Sequence, residues 1–308
     1  MILHYARLSQ FPKIFRSMTG LNVAEFDHVV DALLPRYARA EKKRLSRPSR
    51  QRAMGAGHPF ELTALDQILL TIIWLRLYPT HEVLGYLLGV SDSTARRAIE
   101  RMLPLLEKSG QDTMRMPDPG KRQHRHLDAL LEDLPELMVV IDSFEQRVQR
   151  PAERSTADGY YSGKKRQHTL KSQVAIHEQT GQVVDVPDSV PGPTADIKLL
   201  EQSGLMARLP AGVGAMGDLA YVGIDKLDDL HVGAAPRRKP RGQPRPAEDV
   251  AYNTAFSRRR IGVEHTIGRM RRYQAITQTD RNHRQDHTAR VRAVAGLVNR
   301  QIEARLMS

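Results

Sequence analysis

A mixed α/β protein with an all-α N-terminal region is the fold class that three observations predict. Helical spacing runs without a break from Thr63 to Leu106 and carries the punctuation of a helix-turn-helix. A continuous apolar run, Leu137-Met138-Val139-Val140-Ile141, ends in Asp142, as suits a central strand buried on both faces. After it the pattern gives strands first, then alternating helix and strand, and closes with helices.

Taken in order, Val23, Phe26, Val30, Leu33 and Tyr37 form one face of a helix, and Asn22 with Glu25 makes a plausible N-cap. Between Arg39 and Arg52 a run of Arg39, Lys42, Lys43, Arg44, Arg47, Arg50 and Arg52 reads as an exposed basic connector, either touching phosphates or merely solvated. Leu62, Leu65, Leu69, Ile72 and Ile73 then make an apolar stripe. Thr80 caps a short helix ending at Leu88, Gly89-Val90 turns the chain, and Ser91 caps the next helix. In that turn Gly85 permits close crossing, while Val90, Ala95 and Ile99 plug the core. Asp92, Ser93, Arg96, Arg97, Glu100 and Arg101 are left facing outward, as suits a helix entering a DNA major groove; a helical hairpin with a basic solvent face is the plainer reading.

Lys108 to His126 is Gly-, Pro- and base-rich and reads as a linker. In the second domain Leu170–Ile176 and Gln182–Val190 are expected strands, and Thr194 caps a short helix to Gln202. Val213–Met216 and Leu230–Ala235 are short strands. A late helix spans Ala247–Arg272, and Val291, Ala295, Val298, Ile302 and Leu306 mark a terminal one. The domains expected are thus a helical region and basic connector (1–60), a helix-turn-helix domain (61–108), a linker (109–135) and an α/β domain (136–308).

With 47 Lys and Arg against 35 Asp and Glu, the net charge of +12 and pI near 10.1 favour a polyanionic partner, most simply nucleic acid. The 308 residues contain no cysteine, which excludes disulfides and Cys-ligated zinc and fits a cytoplasmic location. The opening MILHYARLSQFPK lacks the pattern of a signal peptide, and Ile68–Tyr78, interrupted by Arg76, is too short to span a bilayer; no membrane partner is expected.

Three acids stand where a metal site could be built: Asp142, Asp218 and Glu264, 76 and 46 residues apart. Strand ends at one edge of a sheet can bring such distant residues together. On the late helix Arg260, Glu264 and Arg271 share one face, with Val263, Ile267 and Met270 toward the core. Two basic tracks accompany them: Lys164, Lys165 and Arg166 after Tyr160-Tyr161, and Arg237, Arg238, Lys239, Arg241 and Arg245 among four prolines.

The segments VVIDSFEQRVQRP, YYSGKKRQHTLKSQV, DVPDSVPGPTADIKLL, GDLAYVG, PRRKPRGQP and RRRIGVEHTIGRMRR, with the helix-turn-helix text LLTIIWLRLYPTHEVLGYLLGVSDSTARR, resemble the DDE transposases of bacterial insertion sequences, in the Harbinger-related branch. The resemblance implies a ribonuclease H-like catalytic domain in which Asp142, Asp218 and Glu264 hold two Mg²⁺ ions, Mn²⁺ being a substitute. It also implies double-stranded DNA partners, the element's terminal inverted repeats and its target, and a dimer or larger assembly on DNA. Gly217, Asp218 and Tyr221 match the family's GD-x-x-Y element, and Arg260 and Arg271 match basic residues flanking its glutamate. Two departures stand out: Ser257 where the pattern has Tyr, and Arg271 where it has Lys. Asp196 is expected to sit behind the site or cap the Thr194 helix. His265, His283 and His287 are expected to be ordinary surface or core histidines. Rival readings are a non-catalytic DNA-binding descendant and a nuclease that does not join DNA.

Overall fold

The computed structural model describes residues 3–46, 51, 60–121 and 128–307. The first part is helical: α1 (Tyr5–Leu8), α2 (Pro12–Thr19), α3 (Val23–Leu45), α4 (Ala64–Leu77), α5 (His81–Leu88) and α6 (Asp92–Gln111). The caps are those that the side chains dictate. Asn22 accepts from the Glu25 amide at 2.7 Å while the Glu25 carboxylate takes the Asn22 N–H at 2.8 Å, and Thr63, Thr80 and Ser91 cap α4, α5 and α6. α4 is buried from Asp66 to Leu75, so it is a central helix rather than one with a single apolar stripe. Its polar Asp66 is satisfied by the Tyr5 amide at 3.0 Å and by His4 at 3.1 Å.

α5 and α6 form the helix-turn-helix. Gly89 adopts φ +70°, and a Cβ on Gly85 would lie 2.6 Å from the Val90 carbonyl, so the corner closes only around glycine. The basic connector departs from expectation: α3 continues to Leu45, so Arg39, Lys42, Lys43 and Arg44 are helical. Lys and Arg are good helix formers, and three of them occupy the last turn, where cations oppose the dipole. Arg47, Arg50 and Arg52 lie outside the described residues, as does the linker from 122 to 127.

The α/β part contains β1 (Leu137–Arg147), α7 (Arg154–Tyr160), β2 (Tyr161–Ser162), β3 (Gln167–His177), β4 (Val183–Asp185), β5 (Val190–Pro191), α8 (Asp196–Ser203), β6 (Val213–Met216), β7 (Gly233–Ala234), α9 (Ala247–Met270) and α10 (His287–Leu306). The strands run β2-β3-β1-β6-β7, with β4 and β5 also paired to β3. β1 is antiparallel to β3 and parallel to β6, which is parallel to β7. This mixed sheet beside helices is the ribonuclease H-like architecture that the resemblance implied.

Three local expectations are corrected. β1 does not stop at Asp142 but runs on to Arg147, held by its register with β3 (Asp142 opposite Val174, Arg147 opposite Thr169). The expected strand Gln182–Val190 is two short strands. α8 starts at Asp196 after Ala195, and no side chain caps it; the Thr194 carbonyl instead accepts from Lys171 Nζ at 2.5 Å.

Alternation along β1 feeds two cores. Met138, Val140 and Phe144 join a cluster with α9 and α10 that continues into Phe15, Phe26, Trp74 and Leu106 of the N-terminal helices. Leu137, Val139 and Ile141 face Leu200, Leu205 and Tyr221 on the other side. The N-terminal helices and the sheet therefore share a core. α6 crosses α10 where Gly110 meets Gly296, and a Cβ on Gly296 would lie 2.2 Å from the Gly110 Cα.

Candidate active site

β1 and β6 are neighbours in parallel register, Val140 opposite Met216, so two residues further on Asp142 and Asp218 emerge side by side at the same sheet edge. Val140 and Met216 belong to the core that α9 covers, and both aspartates share their parity. Asp142 is held by the Ser143 amide at 2.8 Å. Burial pushes its carboxyl above the usual range. The Ser143 N–H and Arg260 oppose that rise, and the like charges of Asp218 and Asp196 add to it. Asp218 caps a short turn through the Ala220 amide at 2.9 Å. Gly217 is required there, since a Cβ would come within 2.4 Å of the Tyr221 ring. Tyr221 is fully buried, and its hydroxyl is raised well above its ordinary value by burial and then by Asp196, Asp142 and Asp218.

The three aspartates thus act on one another electrostatically. Asp196 enters from α8, accepting from Ser143 Oγ at 2.5 Å and pairing with Lys171 Nζ at 3.1 Å. Lys171 is only 8% exposed at its side chain, so this pair is shielded from solvent. Sequence reasoning gave Asp196 little weight and missed Lys171 and Ser143. The available signal was a lysine in the middle of an expected strand, which needs an acid partner once buried.

Glu264 is brought to the same side of the sheet but not into the cluster. It is exposed on α9 between Arg260, whose charge acts on Asp142, and Arg271, whose guanidinium lies 5.8 Å from the Phe144 ring centre. Among the described residues no three His, Asp or Glu side chains stand together as a metal-binding group. The donor chemistry nonetheless fits a hard divalent cation: Asp142 and Asp218 offer only carboxylate oxygens, and Asp218 lies close enough to act on the Asp142 carboxyl. Arg260 is buried with its Nε unpartnered among the described residues.

The expected DNA-facing residues divide. Arg97 is exposed on α6; Arg96 is exposed but pairs with Glu100 at 3.4 Å, and Ser93 Oγ lies 3.1 Å from Ser91 Oγ. Arg101 turns inward instead of outward, donating to Gln67 at 2.5 Å and stacking 4.0 Å from the Phe60 ring centre, because its position faces the gap between α6 and α4. Lys164, Lys165 and Arg166 are exposed in the turn before β3. Arg238, Lys239 and Arg241 are exposed, whereas Arg237 is pinned to α9 by Asp249 at 3.1 Å, by the Tyr252 ring at 4.3 Å and by Asn253.

Among the described residues the histidines join no metal-like group. His283 is exposed, while His287 is buried between Ser189 Oγ and Gln146 Oε1, both at 2.8 Å, and burial pushes it down to about 3, so it is neutral. Of the remaining acids, Glu145 accepts from Thr169 at 2.6 Å, and Asp185 and Asp188 pair with Arg208 and Arg292.

Comparison with known proteins agrees with this arrangement. Residues 141–299 match the family model described as DDE superfamily endonuclease, and residues 60–112 match the helix-turn-helix of DDE superfamily endonuclease. The chain is 27% identical over 288 residues to a transposase named for insertion sequence element IS702 of Microchaete diplosiphon, covering 94% of each. It is 25% identical over 268 residues to one named for element IS112 of Streptomyces albus G, covering 86% of each. With adjacent strand-end aspartates, a glutamate-bearing helix over the same face and a helix-turn-helix docked on one core, the chain belongs to the DDE superfamily of endonucleases.

Proposed function

We propose that this protein is a DNA transposase: its helix-turn-helix helps recognise the terminal inverted repeats of its own element, and its sheet domain cleaves DNA and transfers the strand. The observation that carries the reading is the parallel pairing of β1 with β6, which sets Asp142 beside Asp218 on the face covered by the Glu264 helix. In this proposal Asp142, Asp218 and Glu264 hold divalent ions, Mg²⁺ first. Bound there, such ions would activate the attacking oxygen and stabilise the leaving one.

The chain's own groups prepare that chemistry. Asp142 is oriented by the Ser143 amide, and Lys171 and Ser143 hold Asp196 close enough to concentrate negative charge. Arg260 and Arg271 flank Glu264 with positive charge suited to phosphate oxygens. Water as nucleophile gives end cleavage; a DNA 3′-hydroxyl attacking the target phosphorus forms a new phosphodiester and expels the old 3′-oxygen. Arg97 on α6 is the side chain proposed to read bases, with Lys164, Lys165, Arg166, Arg238, Lys239 and Arg241 on backbone phosphates. The four-part division stands within the proposal with one change, since α6 carries the helix-turn-helix on to Gln111. Two copies are needed to hold two element ends.

The test is a Mg²⁺-dependent cleavage and strand-transfer assay on DNA carrying the element's ends, comparing wild type with Glu264→Gln. Activity that needs metal and is lost in the variant supports the reading. Joining that persists in Glu264→Gln removes that residue, and specific end binding without cleavage in either protein identifies a DNA-binding descendant instead.

A further inference from the structure

Away from the strand-end carboxylates, five arginines converge on one small pocket. Arg16 of α2, Arg76 of α4, Arg269 and Arg272 at the end of α9 and Arg305 of α10 line a cavity of about 70 Å³ with a single acid, Glu25. Pockets for larger organic ligands run to about 300–1,000 Å³, so the space suits a small oxyanion rather than a metabolite. No carboxylate pairs with Arg16, Arg269 or Arg272 among the described residues.

The pocket is constructed rather than a chance patch. Tyr273 is fully buried in its wall, and Gly20 at φ +80° lets the chain pass, since a Cβ there would meet the Tyr273 hydroxyl at 2.9 Å. Gln301 donates to the Gly20 carbonyl at 2.6 Å, and Arg76 donates to the Arg272 carbonyl at 2.8 Å with its guanidinium 5.4 Å from the Tyr273 ring centre. Arg76 and Arg269 are thereby held half-buried in the wall, with exposed Arg16, Arg272 and Arg305 around the rim. Burial first, and then the neighbouring arginines, push Arg269 below its ordinary value; Arg76 is lowered by burial and Arg272. Such crowding of like charge costs stability unless an anion neutralises it.

We propose that this pocket binds one phosphate group, from inorganic phosphate or a DNA backbone, and so ties the N-terminal helices to α9 and α10. Tetrahedral phosphate presents several acceptors to guanidinium forks arriving from four helices.

The full-length protein is titrated with inorganic phosphate at constant ionic strength, chloride replacing it in the control, and unfolding temperature is followed. A saturable rise of about 2 °C or more is expected in wild type. Arg269→Gln should need about tenfold more phosphate for the same rise. Glu25→Gln should need several-fold less, because glutamine preserves the capping box while removing the opposing charge. That second variant decides the matter if Arg269→Gln fails to fold. A response equal to the chloride control, or the same in all three proteins, overturns the site and leaves only the general effect of salt. A second arm measures binding of a short DNA duplex of arbitrary sequence. If backbone phosphate is the occupant, saturating inorganic phosphate and Arg269→Gln both weaken the duplex; if free phosphate is, neither does. The phosphate arm does not rest on the transposase reading, so either can fail alone.

Discussion

Two polar centres of this protein, one buried and one half-buried, use the same residue types and balance them in opposite ways. Around Asp280, the carboxylate pairs with Arg290, both about 1% exposed at their side chains, and also meets the Tyr78 hydroxyl at 3.2 Å and the Asn282 amide at 2.9 Å. That knot joins the end of α4 to the approach of α10, and its one negative charge faces a matched positive one. At the ends of β1 and β6, burial raises the Asp142 carboxyl, and the like charges of Asp218 and of Asp196 on α8 add to that rise. Balanced charge holds structure; in the proposed function the uncompensated carboxylates would receive a cation.

The sharpest way to break the comparison is to remove a carboxylate from each centre. Asp142→Asn should cut DNA cleavage by on the order of 10³-fold or more while leaving the unfolding temperature unchanged or raised. The sign follows from the shift. A carboxyl raised by folding binds its proton more tightly in the native state, so its ionised form weakens the fold at neutral pH. A large loss of stability in Asp142→Asn would make it a structural residue.

Asp280→Ala should do the reverse, costing about 3–5 kcal/mol in denaturant unfolding because Arg290 is left charged, buried and unpaired. A loss below about 1 kcal/mol would mean that the knot is not what holds α4 to α10.

A pH series sharpens the picture near the knot. His287 falls from its ordinary 6.5 to about 3 on folding, so the unfolded chain takes up a proton that the folded one refuses. Stability should therefore decline as pH drops from about 6.5 toward 3, by an amount on the order of a few kcal/mol. His287→Gln should flatten that decline in pH-dependent unfolding; an unchanged slope would locate it elsewhere.

The smallest effects belong to the DNA-facing surface. Arg97→Ala should relax sequence preference at about 1–3 kcal/mol, whereas Arg238→Ala should weaken binding to all duplexes alike and shallow the salt dependence by about one unit of slope. Competition binding with matched and scrambled ends reads both. Uniform weakening by Arg97→Ala would remove it from base reading.

Much of this was legible beforehand. Caps at Asn22, Thr80 and Ser91 and the Gly89 corner depend on contacts within a few residues, so local sequence specifies them. Strand β1 was visible as an apolar run, but its true end at Arg147 was not, because polar Gln146 is satisfied by partners distant in sequence, the carbonyls of Ala275 and Gln278 and the His287 ring. Arg101 looked outward by spacing and lies inward because Phe60 and Gln67 receive it. The Lys171–Asp196 pair escaped notice because its partners are 25 residues apart and meet across two elements.

The sequence by itself determined most of the elements and the helix-turn-helix, since caps, periodicity and turn residues act over short range. Tertiary structure decided which charges meet. The sheet order puts β6 next to β1 and so Asp218 beside Asp142, and the packing of α2, α4, α9 and α10 gathers arginines from both ends of the chain. Charges hundreds of residues apart in sequence are coupled only through the distances and burial that folding creates, and those set both their pKa values and their partners.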